Sequence, residues 1–197
     1  TLGPSATNFS TPAAYAHLGG FPLIMITGQK PINKSKQGQF QIVDVVQLFD
    51  PVCKMSKQIV SGNLVPSLVR EAFRIAEEER PGAVLLELPE DIARETASSE
   101  PITPRRYRRS VPDEEVIEEA SRLITQSEQP LIIAGNGCIR KRASAELRRL
   151  CDLSKIGVVS SFMAKGCVDM DAEYCLFTIG LGARDRIAEV IESADLI

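Results

Sequence analysis

Apolar positions along this chain alternate between two rhythms. Phe21–Thr27 (FPLIMIT) is a continuous apolar run rich in branched side chains, and Gly28 is expected to end it. Such a run predicts a strand covered on both faces, as in a parallel sheet. Leu64, Leu68, Ala72, Ile75 and Ala76 then recur at helical spacing. They predict a helix capped by Asn63, with Pro66 tolerated in its first turn, Glu77, Glu78 and Glu79 facing out, and an end near Arg80. Pro81-Gly82 stops it, Ala83–Leu88 (AVLLEL) is the next strand, and Pro89 ends that strand. From Thr96 to Pro112 the pattern lapses into Pro101, Pro104, Pro112 and the basic cluster Arg105-Arg106-Tyr107-Arg108-Arg109, which reads as a linker.

Regular structure resumes at Asp113-Glu114-Glu115, acids that suit the start of a helix, with Val116, Ile117, Ala120, Leu123 and Ile124 as its apolar face. Pro130–Ala134 predicts a strand and Gly135-Asn136-Gly137 its turn. Ala143, Leu147, Leu150 and Cys151 mark another helix, Gly157–Ser160 a short strand, and 184–194 a last helix running into the strand-like Asp195-Leu196-Ile197. Alternation of this kind predicts an α/β fold of two incomplete three-layer units with mainly parallel sheets. The divisions expected are 1–95, a Pro/Arg-rich linker over 96–112, and 113–197.

Composition narrows the chemistry. Over 197 residues, 23 Lys+Arg nearly balance 26 Asp+Glu, leaving a net charge of −3 and no field to draw in nucleic acid or an anionic membrane. No apolar run reaches the roughly 18 residues of a membrane span. The five cysteines form no C-x-x-C pair, which argues against a disulfide framework and for a reducing, cytoplasmic setting. The single histidine, His17, is far in sequence from every cysteine, so a zinc site has little support and no metal ligands are assigned.

Gly3-Pro4-Ser5-Ala6-Thr7-Asn8 is a glycine turn leading into a helix, a place that can cradle a phosphate. It is followed by Phe21–Gln29 (FPLIMITGQ), by Phe40-Gln41-x-x-Asp44, by Arg80-Pro81-Gly82 and by Glu87-Leu88-Pro89-Glu90-Asp91. That succession resembles the thiamine-diphosphate enzymes of the acetolactate synthase group, whose pyrimidine-binding domain carries S-G-P-G-A-T-N, I-x-G-Q, F-Q-x-x-D and L-P-x-D in this order. Pro130–Gly137 (PLIIAGNG), Ser161–Gly166 (SFMAKG) and Ile179-Gly180-Leu181 resemble the family's central domain.

The resemblance implies thiamine diphosphate with Mg²⁺, pyruvate as the 2-oxo acid substrate, a site shared between two chains of a homodimer or tetramer, and in some members a regulatory subunit. Pro4 and Asn8 would lie beside the aminopyrimidine. Phe40 and Gln41 would line the substrate side, one desolvating the reacting carboxylate and the other orienting it without adding charge. On the residues alone, Asn8 could instead tie down a helix start and Phe40 could belong to the core. Ser5 replaces the family's second glycine. Glu90 stands where biosynthetic acetolactate synthases commonly carry Lys. Leu181-Gly182 occupies the Met-His region of the flavin-containing members, although Gly135, Gly137 and Gly180 leave room for FAD. Gly135-x-Gly137 lacks the third glycine of a dinucleotide fingerprint.

The expectation is therefore a piece of an acetolactate-synthase-like carboligase, inactive by itself. The family's catalytic glutamate would precede Thr1, and its G-D-G…N metal motif would belong to a further domain. Glyoxylate carboligase, pyruvate oxidase, a 2-oxo acid decarboxylase and sulfoacetaldehyde acetyltransferase share the scaffold. A non-catalytic nucleotide-binding or assembly module is the alternative from another class.

Overall fold

The computed structural model describes residues 1–33, 40–103, 111–180 and 186–197. The chain divides into two compact units, Thr1–Tyr107 and Arg108–Ile197. Each carries a three-stranded parallel sheet, and among the described residues no helix is long and apolar enough to cross a membrane.

In the first unit the strands are β1 (Leu23–Gln29), β2 (Met55–Gln58) and β3 (Ala83–Pro89), ordered β1-β3-β2. The register sets Leu23 against Ala83 and Gln29 against Pro89, with Gln58 beside Glu87. The unbroken apolar run of β3 follows from burial on both faces. Ala83 and Leu85 join Ala13 and Ala16 of α1 (Ser10–Gly19) and Val45 and Phe49 of α2 (Val45–Phe49) in one core cluster. Val84 and Leu86 point the other way, into Ala72 and Ala76 of α3 (Val65–Glu77). This is a three-layer unit. Phe49 and Leu85 are fully buried, and each such side chain contributes about 1.5–3 kcal/mol of transfer free energy.

Two details differ from the sequence expectation. β1 does not end at Gly28 but runs through it to Gln29. Asn63 does not cap the helix. A short 3₁₀ turn, Gly62–Leu64, precedes α3, Ser61 accepts the Asn63 N–H, and Asn63 Oδ1 accepts from the backbone N–H groups of Ser98 (2.8 Å) and Ser99 (3.2 Å). Pro66 does sit in the first turn of α3.

In the second unit β4 (Leu131–Ala134), β5 (Gly157–Ser160) and β6 (Cys175–Thr178) are ordered β4-β5-β6, and Leu196 bridges in parallel to Pro130. Around them lie α4 (Glu114–Gln126), α5 (Asn136–Arg140), α6 (Ser144–Ser154) and α7 (Ile187–Ser193). Asp113 caps α4 by accepting the Glu115 N–H. The apolar face expected of α4 exists, but Val116, Ile117 and Leu123 are exposed and no residue of the helix is buried. The core of this unit instead gathers Ala134, Cys151, Val158, Ala164, Cys167, Val168, Tyr174 and Cys175. The basic cluster Arg105–Arg109 lies outside the described residues.

Candidate functional site

Ligands of parallel α/β sheets bind beyond the carboxyl ends of the strands. At that edge of the first sheet the chain assembles polar groups that it buries. Gln29 closes β1 at 4% exposure, and Glu87 lies near the end of β3 at 2%. A buried carboxylate is tolerated only with hydrogen-bond partners. Gln29 Nε2 donates to Glu87 Oε1 at 2.9 Å, and Gln58 Nε2, from the end of β2, donates to Glu87 Oε2. One acid is thus held by amides from both neighbouring strands.

The network reaches outward from there. Gln29 Nε2 also donates to the Val43 carbonyl at 3.0 Å, tying the segment that follows Phe40-Gln41 to the sheet. Asp44 Oδ1 accepts the Gln47 N–H at 2.9 Å and so caps α2. Asp91 accepts from the backbone N–H groups of Ile32 (3.0 Å), Asn33 (2.8 Å) and Ile92 (3.1 Å), pinning the chain that leaves β1. Desolvation alone would raise its carboxyl, but those backbone donors outweigh it and hold Asp91 below the usual carboxylate range. Gln29, Ile42, Val43, Asp44, Val46, Gln58 and Glu87 line an open cleft of about 400 Å³.

The glycine turn comes to the same edge. Gly28 N–H donates to the Thr1 carbonyl at 2.6 Å, and Leu2 bridges in parallel to Gly28. Gly3 begins a 3₁₀ helix, Gly3–Phe9, at φ +55°. A Cβ built on Gly3 would lie 2.3 Å from the Gln41 carbonyl oxygen, so this contact is one that glycine alone permits. Gln41 itself has φ +58°. Backbone packing therefore draws Gly3 against Gln41 across 38 positions of sequence. Asn8 lies further along the same 3₁₀ helix.

Of the residues singled out from the sequence, Pro4, Asn8, Phe40 and Gln41 are all exposed, Phe40 at 74%. Phe40 is not a core residue of this chain. Asn8 makes no cap for α1, whose start has no side-chain cap. Gly135, Gly137 and Gly180 fall in the second unit. Gly135 follows β4 and Gly180 follows β6, both at the carboxyl edge of that sheet. The turn expected at Gly135-Asn136-Gly137 is the start of α5, with Gly135 as its N-cap residue. A Cβ at Gly135 or Gly137 would meet nothing within 4 Å among the described residues, so none of these requires a glycine at either position by packing. Leu181 and Gly182 lie outside the described residues.

Sequence reading gave no role to Glu87, Gln29, Gln58 or Asp91. Gln29 and Asp91 stood in the motif segments FPLIMITGQ and Glu87-Leu88-Pro89-Glu90-Asp91, Glu87 was a lone acid inside the apolar run AVLLEL, and Gln58 gave no signal. The exposed Asn8 and Gln41 amides and the exposed Phe40 ring offer uncharged hydrogen-bonding groups and an apolar face, and no formal charge, to a ligand. A Mg²⁺–diphosphate group is not matched in this way: among the described residues no three His, Cys, Asp or Glu side chains are placed to hold a metal ion.

Comparison with known families agrees with both units. The N-terminal TPP binding domain of thiamine pyrophosphate enzymes matches residues 1–48, and the central domain of the same enzymes matches residues 117–197. The chain is 35% identical to a probable acetolactate synthase large subunit of Methanocaldococcus jannaschii, over 100% of this chain and 34% of that protein. It is 31% identical to a glyoxylate carboligase of Escherichia coli O157:H7 (94% of this chain, 32% of that protein) and 32% identical to an acetolactate synthase of Mycobacterium bovis (100% and 32%). The chain spans about a third of the length of the curated relatives it matches.

Proposed function

Because this chain belongs to the thiamine pyrophosphate enzymes, we propose that it is the pyrimidine-facing and central part of an acetolactate-synthase-like carboligase. Such an enzyme decarboxylates pyruvate and transfers the remaining two-carbon unit to a second 2-oxo acid. The observation that carries this reading is the close approach of Gly3 to the Gln41 backbone, at a turn that Leu2 bridges to Gly28 near the carboxyl end of β1.

Bound thiamine diphosphate supplies the nucleophilic carbon and the electron sink for loss of carbon dioxide. Phe40 keeps water from the substrate carboxylate, which favours its departure as neutral carbon dioxide. Gln41 offers an amide donor that orients a carboxylate or ketone without adding charge, and Asn8 does the same beside the pyrimidine ring. Gln29, Gln58 and Glu87 hold the floor of the cleft and, through the Val43 carbonyl, the segment that bears Phe40 and Gln41. A ring left 74% exposed supports closure of the site by a second copy in a homodimer or tetramer, with a regulatory subunit as a further partner. Five free cysteines support a reducing, cytoplasmic setting.

The 197-residue chain by itself is expected to make no acetolactate from pyruvate with thiamine diphosphate and Mg²⁺, and turnover would overturn that part of the reading. For the polypeptide that carries this chain, acetolactate from pyruvate is the expected product. Glu90 in place of Lys, together with the glyoxylate carboligase relative, favours one second reading. Product formed from glyoxylate and none from pyruvate would establish that reading in place of the first. FAD at the carboxyl edge of the second sheet belongs to the same proposal, supported by the open space at Gly135 and Gly137. Titration calorimetry with FAD and with ADP tests it, and absence of heat with both would remove the flavin.

A further inference from the structure

Four of the five cysteines share one region of the second unit. Cys151, Cys167 and Cys175 are buried members of its core cluster, and Cys138 packs against that cluster while remaining partly exposed. Cys138 rides on α5, which packs on the 3₁₀ turn Phe162–Ala164. Cys167 donates its N–H to the Ala164 carbonyl at 2.9 Å and so lies one tight turn beyond that segment. Cys138 on α5 and Cys167 just after the turn that α5 packs on therefore lie in one neighbourhood of this core. Burial raises the Cys167 thiol, and the nearby Cys138 and Cys175 sulfurs add to that rise against backbone donors at Val168 and Cys167. Cys151 is raised by burial, then by Asp152 and Cys167. The thiols do not form a metal cage, since no three ligand-type side chains among the described residues are set to hold an ion.

We propose that Cys138 and Cys167 form an oxidisable dithiol in which Cys138 meets a hydroperoxide and Cys167 closes the disulfide. In the first step the Cys138 sulfur attacks the distal peroxide oxygen; the S–O bond forms, the O–O bond breaks, and the alkoxide leaves with the Cys138 thiol proton as ROH, so the sulfur is oxidised by two electrons to Cys138–SOH. In the second step the Cys167 sulfur attacks Cys138–SOH. The S–S bond forms, the S–O bond breaks, and the hydroxyl leaves as water with the Cys167 proton. Exposure sets the order, because Cys138 is the member of the group that solvent reaches. The product staples α5, at the residue after Gly137, to the segment that follows Phe162–Ala164. This inference rests on the packing of the second unit alone and stands whether or not the proposed carboligase activity does.

The test treats the purified chain with hydrogen peroxide, blocks remaining thiols with N-ethylmaleimide after unfolding, and maps peptides by mass. The expected result is a Cys138–Cys167 linked peptide that has lost two hydrogens and is reversed by dithiothreitol. Cys53, whose thiol burial and then Asp50 push up to about 11, should be consumed at least about tenfold more slowly than Cys138. Cys138→Ser should abolish the link, and Cys175→Ser should leave it in place. A link from Cys138 to any other cysteine, sulfinic acid at Cys138 without a link, or links only between chains would overturn the proposal. The map of the unsubstituted chain decides the matter even where a variant fails to fold.

Discussion

Replacing Gly3 by alanine tests the contact on which the first unit's edge is built. Gly3 sits at φ +55°, where a residue with a Cβ is destabilised by about 1–2 kcal/mol relative to glycine. The new Cβ would also stand 2.3 Å from the Gln41 carbonyl oxygen, 2.9 Å from its carbonyl carbon and 3.0 Å from its Cα. All three are backbone atoms, so no side chain can rotate away, and relief requires the 3₁₀ helix and the Gln41 segment to separate. Overpacking of this kind costs about 1–3 kcal/mol. Together the two effects predict a loss of about 2–5 kcal/mol in urea denaturation followed by far-ultraviolet circular dichroism. Hydrogen exchange should accelerate at Gly28, whose N–H donates to Thr1. Gly82→Ala is the matched control. Its Cβ meets Lys54 Cδ at 2.9 Å and Cγ at 3.0 Å, side-chain atoms that can shift where backbone cannot, so it should cost less than Gly3→Ala. If Gly3→Ala proved as mild as Gly82→Ala, the backbone contact with Gln41 would not exist in solution and the carrying observation for the function would fall.

Three further outcomes are expected. Glu87→Leu leaves the amides of Gln29 and Gln58 without this acceptor, at about 1–3 kcal/mol for each unsatisfied group, and equal denaturation midpoints for the two proteins would refute the network. Asp91 has a depressed folded-state pKa, so the stability it adds is complete above its unfolded value near 4 and is lost as pH falls through the lower folded value. Asp91→Asn should flatten the acid limb of a pH–stability profile, and an unchanged limb would count against the clamp on Ile32 and Asn33. Gly137→Ala, in a helix with open space around it, should be neutral or stabilising by up to about 1 kcal/mol in thermal melts; a marked loss would show a close contact there.

The sequence was most readable where one residue type has one reason to be present. The doubly buried β3 announced itself as AVLLEL, and Pro66 in the first turn of α3 and Asp113 before α4 were recognisable as helix-start residues. β2 was not legible, because its residues, Met-Ser-Lys-Gln, carry no strand pattern and owe their extended form to pairing with β3. Asn63 misled for a similar reason: its amide was free to serve a helix start or a distant backbone, and Ser98 and Ser99 claimed it. The candidate site divides the same way. Pro4, Asn8, Phe40 and Gln41 could be picked out as a set by their resemblance to a family's motifs. The contact that joins them could not, since it lies between backbone atoms 38 positions apart and depends on a left-handed Gln41 that no propensity favours. The amide–carboxylate network was half visible as the acid at Glu87, but its partners are set by strand register.

The Gly3–Gln41 approach also separates what evolution or an engineer can vary from what it cannot. Position 41 touches the turn through its main chain, so its side chain is spare material, available for exchange without loosening the turn beneath it. The exchange has a limited alphabet. At φ +58° asparagine, aspartate and glycine are well accommodated, whereas valine, isoleucine and threonine are strained by their branched Cβ. A library at position 41 drawn from the first group, on a fixed Gly3, would sample new chemistry at the cleft mouth while leaving its shape intact.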